Sequence, residues 1–236
     1  MVGTTAQINA ASAVVTSVNV AGACLSVSTE LKSLGVVIDS RLTFDPHVRA
    51  VCKACNYHIW ALRHIRHLLP LDTAQTLACS IVGSRLDYCN SVLFGVPKAS
   101  IMKLQRTQNL LARVVMRQPK YSHARPLLRS LHWLPITQRI EYKLAVLTFN
   151  IRSKSTPEYL HCLLSDRATR SSMCLRSSCR PILAVRRTRT NIGARAFSIA
   201  APTIWNGLPV DIQQSDSLYS FRKKLKTFLF SAAYVD

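Results

Sequence analysis

Cys52, Cys55 and His58 recur at a spacing of three, and a Cys-x-x-Cys pair is half of many zinc sites. A closed site needs a knuckle that gathers its ligands, and a second ligand pair. Here the residues fall inside a run with helical apolar spacing, and no second pair follows. Packing of two small thiols is the better account, so no metal is expected. Cys174 and Cys179, with His161 upstream, make no closed spacing either. His64 and His67 stand in a run with Arg63 and Arg66, which reads as a basic patch. Asp39 and Asp45 read as strand-end and cap residues, and Glu141 and Glu158 as first-turn acids favoured by a helix dipole. There is no Gly-rich phosphate loop and no Gly-x-Ser-x-Gly elbow. No catalytic residue and no cofactor are expected.

The chemistry that remains belongs to the cations. Ile101, Leu104, Gln108, Leu111 and Val115 recur at steps of three and four, one stripe of a helix. At roughly 100° per residue, Lys103, Arg106, Arg113 and Arg117 fall in the opposite arc. One face can enter a core while the other presents cations to phosphate oxygens. An ordinary solvated face is the competing account. Leu110 and Val114 border the basic arc, so the segregation is imperfect.

The whole chain leans the same way. Its 236 residues carry 31 Lys and Arg against 11 Asp and Glu, a net charge of +20. Such an excess attracts polyanions, nucleic acid first and an acidic membrane second. Most of the cations are Arg, whose planar fork matches phosphate. No apolar run approaches the roughly 18 residues of a membrane span. The first 31 residues lack the Lys or Arg that opens a secretory signal. Most of the eight Cys lie in helical patterns, which suits a reducing interior, nuclear or cytoplasmic, rather than secretion.

The elements that must position these cations can be read in order. Residues 1–12 show no strong pattern. Val18, Val20, Leu25 and Val27 alternate around Ala21-Gly22 as a hairpin or two short strands, and Leu34 to Asp39 reads as a buried strand. Too few strands are present to complete a sheet. A helix starts at Asp45-Pro46 and runs to Pro70 with Val48, Val51, Cys52, Cys55, Ile59, Leu62 and Ile65 inward. The next is capped by Asp72, with Ala74, Leu77, Ala78, Ile81 and Val82 inward. Pro97 opens the basic-faced helix and Pro119 ends it. A short helix spans about Pro126 to His132, and a long one runs from Pro135 to about Arg152. Eight of the 29 residues from Arg167 to Arg195 are Arg and none is acidic, which reads as loop or irregular strand, less ordered than the block before it. Ile182, Leu183 and Val185 are its best strand candidate. Gly193 to Ile199 returns to helical signals, Trp205 to Pro209 reads as a turn, and Ser217 caps a last amphipathic helix. The expected fold is mainly α: a helical bundle preceded by a small β element, with a partly irregular basic C-terminal region.

Seven stretches carry a resemblance when taken together. They are LKSLGVVIDSRLTFDPHV (31–48), SRLDYCNSVLFGVP (84–97), LQRTQNLLARVV (104–115), SLHWLPITQRIEYKLAVLTF (130–149), PEYL (157–160), RAFSIAAPTIWNGLPVDI (195–212) and SFRKKLKTFLF (220–230). In order and spacing the chain resembles the carboxy-terminal third of reverse transcriptases from LINE-type, jockey-like non-LTR retrotransposons, over roughly residues 17–230. The resemblance implies the end of a palm in residues 1–44, a thumb-like helical domain in 45–165 and a basic extension in 166–236. The family's metal-binding Tyr/Phe-Ala-Asp-Asp motif is not in the sequence. The chain alone is therefore expected not to polymerise, and Met1 is expected to open a truncated frame.

By the same resemblance Lys103, Arg106, Arg113 and Arg117 become candidate contacts to the backbone of RNA or an RNA–DNA duplex. Arg186, Arg187 and Arg189 are candidates from composition alone. The expected partner is nucleic acid, held with little sequence readout, and not a membrane. Three readings stay open: a nucleic-acid-binding fragment of a polymerase, a piece of a larger active reverse transcriptase, and a decayed mobile-element product without a cellular role.

Overall fold

The computed structural model describes residue 3 and residues 5–167 and 182–234. Helix α1 (Thr5–Val14) forms where the sequence shows no pattern. It is Ala-rich, so propensity makes it without an apolar stripe. Two hairpins come next: β1 (Ser17–Val20) with β2 (Ala23–Ser26), and β3 (Glu30–Ser33) with β4 (Val36–Asp39). Each turns through two residues of positive φ, Ala21-Gly22 and Leu34-Gly35, the geometry that matches strand twist in a two-residue loop. The expected buried strand from Leu34 is therefore shorter. Gly35 lets the chain reverse, leaving Leu34 87% exposed at the tip. The hairpins are separate two-stranded sheets, and β1, β2 and β3 are exposed throughout.

The rest is mainly helical, as expected. Helix α2 (Asp45–Ile65) buries Val48, Cys55, Ile59 and Leu62. Its N-cap is Phe44, in left-handed conformation, and Asp45 is its first residue. Helix α3 (Leu71–Leu77) passes through π-type turns at Ala78–Gly83 into α4 (Ser84–Asp87). The wider turn rotates the side chains about the helix axis. Val82 stays buried, but Ile81, expected inward, is exposed.

Helix α5 (Lys98–Val115) buries Leu104, Gln108, Leu111 and Val115 as the stripe requires, and Ser100, Thr107 and Ala112 besides. It stops two residues short of Arg117, which has φ 51° and is not on the helix. Beyond it lie helices α6 (Ala124–Ser130), α7 (Ile136–Lys154) and α8 (Glu158–His161).

Residues 168–181 of the expected loose stretch lie outside the described residues, and Cys174 and Cys179 with them. Its described part is anchored at Leu183, not strand-paired over Ile182–Val185. Leu183 makes one antiparallel bridge with Asp166, and its backbone N–H and C=O are both bonded by the Asn206 amide at 2.8 Å. Helix α9 (Phe197–Gly207) takes in Trp205 and Asn206, which the sequence placed in a turn; only Leu208-Pro209 leaves the helix before α10 (Val210–Gln213). Ser217 Oγ accepts from Ser220 N at 3.2 Å and caps α11 (Leu218–Tyr234), as expected.

Helix α7 holds the packing together because it is buried on two faces. Ile136, Ile140 and Leu144 join the core built with α2, α5 and α6. Ala145, Val146 and Phe149 join a second core with Leu183, Trp205, Leu208, Ile212, Phe221, Leu225 and Leu229. Apolar packing thus crosses the expected boundary at 165/166, and Ala200 and Tyr234 enter the first core as well. Among the described residues no helix is long and apolar enough to cross a membrane.

This packing sets two expected outcomes. Phe221 is fully buried and stacks on Phe149 at 4.3 Å between ring centroids. Phe221→Ala is expected to lower unfolding free energy by about 3–5 kcal/mol in a denaturant titration. Tyr234 Oη donates to Trp133 O at 2.6 Å, and burial pushes the phenol up to about 12 against the opposing pull of Arg139 and Arg125. The raised value favours the protonated folded form. Its contribution is complete below the ordinary tyrosine pKa near 10 and is lost as pH rises through about 12. Tyr234→Phe is expected to remove part of the alkaline loss of stability between those limits, read by pH-dependent denaturation.

Candidate nucleic-acid interface

Helices α2 and α5 lie side by side and run in the same direction, pinned at both ends. At their starts Asp45 Oδ1 accepts from Ser100 Oγ at 3.3 Å and from Lys103 Nζ. The Lys103 bond comes first among the influences that hold the Asp45 carboxyl below its usual range. At their finishes the two helix ends exchange arginines. Arg66 Nε donates to Val115 O and Nη1 to Leu69 O, both at 2.7 Å. Arg117 Nη2 donates to Arg66 O at 2.9 Å and to His67 O at 2.6 Å. Arg117 thus bonds two carbonyls just beyond α2, while Arg66 bonds the last carbonyl of α5 and one beyond its own helix.

Arg66 is only 7% exposed. Burial, and then the charge of Arg117, pull its pKa below the usual arginine value.

Beside this junction lies a cavity of about 500 Å³. Arg63, Arg66, His67, Arg113, Arg117 and Lys120 line it, Ile59, Leu110 and Val114 make its apolar wall, Trp60 stands beside them, and no carboxylate is among the described residues that line it. Helix-dipole compensation is the conservative explanation. Each helix end carries roughly half a negative charge, so two ends offset about one cation. Five Lys and Arg line the cavity. The surplus is an electrostatic demand for an anion. Arg63 and Lys120 are exposed and make no hydrogen bond or ion pair among the described residues.

The candidate cations part company in the fold. Arg113 and Arg117 come together in the cavity, while Lys103 sits at the opposite end of α5, paired with Asp45. Arg113 is half-buried, its Nε donating to Ser122 O at 2.9 Å. Arg106 is exposed on α5 but does not line the cavity. The expected single basic face of four cations is thus broken up by intramolecular bonds. Arg186, Arg187 and Arg189 are exposed on the irregular segment after Leu183, also outside the cavity lining. Arg63, Arg66 and His67 belong to the patch noticed in the sequence, yet nothing there joined it to Arg113 and Arg117, some fifty residues on. Trp60 and Lys120 gave no signal, because their roles depend on the parallel run of α2 and α5.

Several polar residues of the seven stretches hold the fold instead. Gln108 Nε2 donates to Leu134 O and Gln105 Oε1 accepts from Ile136 N, both at 2.9 Å, fixing the corner before α7. Arg139 bonds Leu134 O at 2.9 Å and Asp87 at 2.8 Å. Arg195 reaches Leu42 O at 2.6 Å and Phe94 O at 3.2 Å, and its guanidinium lies 5.3 Å over the Phe44 ring. Gly95 has φ 69°, and a Cβ there would stand 2.7 Å from Arg195 Cγ, so the close approach needs glycine. Burial works against the Asp39 charge, but hydrogen bonds from Thr43 and Phe44 outweigh it and hold the carboxyl below its usual range.

Cys55 is fully buried, and burial pushes its thiol up to about 11, the wrong direction for a thiolate ligand. Cys52 is raised for the same reason. Among the described residues no group of three His, Cys, Asp or Glu could hold a metal ion.

Removing structural and free cations should have unequal costs. Arg66→Met keeps the aliphatic stem but strands Val115 O and Leu69 O, and is expected to cost about 1.5–3 kcal/mol. Arg63→Ala is expected to stay within about 0.5 kcal/mol of the parent. Urea denaturation of the two variants checks both. Comparison of the chain with protein families, with curated proteins and with solved structures finds no match.

Proposed function

We propose that the chain is the template-holding, thumb-like part of an RNA-directed DNA polymerase of the non-LTR retrotransposon kind, and that it binds RNA or RNA–DNA duplex through phosphate contacts. The observation that carries this reading is the cavity where five Lys and Arg converge without a carboxylate. The seven sequence stretches, in their order, support the polymerase relationship. Arg63, Arg113, Arg117 and Lys120 are the proposed central contacts. Arg106, Arg186, Arg187 and Arg189 are outlying ones, exposed and without partners among the described residues. Lys103, neutralised by Asp45, contributes least.

Contacts of this kind position a strand without reading its bases. The sequence has no Ala-Asp-Asp motif, and no metal-holding carboxylate group is found among the described residues, so the role in this reading is to hold a strand.

Salt dependence is the test. Each phosphate contact releases counterions, so Arg63→Ala with Lys120→Ala is expected to lower the slope of log affinity against log salt by about two units. The loss should be equal for unrelated RNA–DNA duplex sequences. Lys154→Ala with Lys223→Ala, two exposed cations outside the cavity, serves as the charge-matched control. A control pair that costs as much as the cavity pair would assign the affinity to net charge and reject the site.

A further inference from the structure

The outer strip of α2 is aromatic as well as basic. Lys53, Tyr57, Trp60 and His64 fall within one arc at roughly 100° per residue, and His67 stands just beyond the helix. Tyr57 is 73% and Trp60 61% exposed. The other two tryptophans, Trp133 and Trp205, are buried. Trp60 touches the His64 ring edge-on, with 6.0 Å between centroids, which leaves most of the indole to solvent. The same indole lines the basic cavity beside Leu110 and Val114.

Phosphates alone have no use for such a wall. Cations in water suffice for them, whereas an indole next to aliphatic side chains favours a flat, weakly solvated ring. A duplex keeps its bases stacked inside and offers phosphate and sugar. An unpaired nucleotide offers a phosphate and a free base face together. An anionic lipid surface also attracts Trp and Arg, but a flat bilayer surface does not fill a concave site such as the one this exposed indole borders.

We infer that this site takes unpaired nucleic acid, with a base stacked on Trp60 and its flanking phosphates on Arg63, Arg113, Arg117 and Lys120. Tyr57, one turn back along α2, is the platform for a neighbouring base. The inference rests on the reading of the cavity as a nucleic-acid site, and adds that the bound strand is unpaired there.

The test uses the full chain and four probes: a single-stranded RNA oligomer of mixed sequence, an abasic oligomer of equal length and charge, a blunt RNA–DNA duplex, and phosphatidylserine vesicles. Trp60 is the exposed one of three tryptophans, and the part of the intrinsic fluorescence absent in Trp60→Phe reports on it. The single-stranded oligomer is expected to quench that signal and to bind about tenfold more tightly than the abasic one. Trp60→Ala is expected to lower affinity for the base-bearing oligomer about tenfold and to leave abasic and duplex binding unchanged. Trp60→Phe should retain most of the affinity, and Tyr57→Ala gives a second, independent removal of stacking surface.

Equal affinity for base-bearing and abasic oligomers, or an equal loss for all probes in Trp60→Ala, overturns the inference while phosphate binding stands. Vesicles shifting the Trp60 signal while no nucleic acid binds overturns both this inference and the proposed function.

Discussion

Two helices that run in parallel bring two ends of the same sign together, and much of this molecule answers that constraint. Antiparallel neighbours cancel their dipoles; α2 and α5 cannot, because Asp45 meets the start of α5 and Arg66 meets its finish. Open carbonyls and roughly half a negative charge per helix accumulate at one junction. Arg66 and Arg117 satisfy them by exchange. Once these two guanidinia are fixed, every further cation nearby adds field that no carboxylate of the cavity lining cancels. A structural requirement of helix packing thus generates the strongest candidate site.

The second organising device is α7. A helix with one apolar face would leave the C-terminal segment to hang from the bundle. Burial of Ile140 and Leu144 on one side and Val146 and Phe149 on the other makes it a shared wall. Its start is held by the Gln105 and Gln108 amides and its Arg139 is tied to Asp87, so the polar residues around it fix its position. Arg195 does the same for the Leu42, Phe44 and Phe94 backbone region. Several charged and amide residues of the seven stretches, Gln105, Gln108, Arg139 and Arg195 among them, are therefore consumed by architecture.

That division explains why some features could be read in advance and others could not. The stripe Leu104, Gln108, Leu111 and Val115 depends only on helical period, so its burial was legible. So were the Ala21-Gly22 hairpin and the Ser217 cap, which are matters of local turn and cap chemistry. Ile81 was misplaced because π-type turns change the angular count, and nothing in the local sequence announces them. Arg117 was misplaced because the helix stops before it, in a left-handed residue that is not glycine. The cavity was half legible. Its cations were noticed in two groups, but whether a chain fifty residues later returns parallel or antiparallel is decided by tertiary packing, and only the parallel solution joins them.

Helix α11 completes the second core with Phe221, Leu225 and Leu229 and reaches the first with Tyr234. It begins more than sixty residues after α7 ends. At ordinary rates of synthesis that separation is roughly 3–13 s. For that interval the nascent chain holds a finished α7 whose Ala145, Val146 and Phe149 lack Phe221, Leu225 and Leu229, and are covered only in part as Leu183, Trp205, Leu208 and Ile212 emerge. Until α11 arrives, one apolar side of the bundle is incompletely covered. The chain's many positive charges, which keep two such chains apart, are of use to the molecule before any ligand is present.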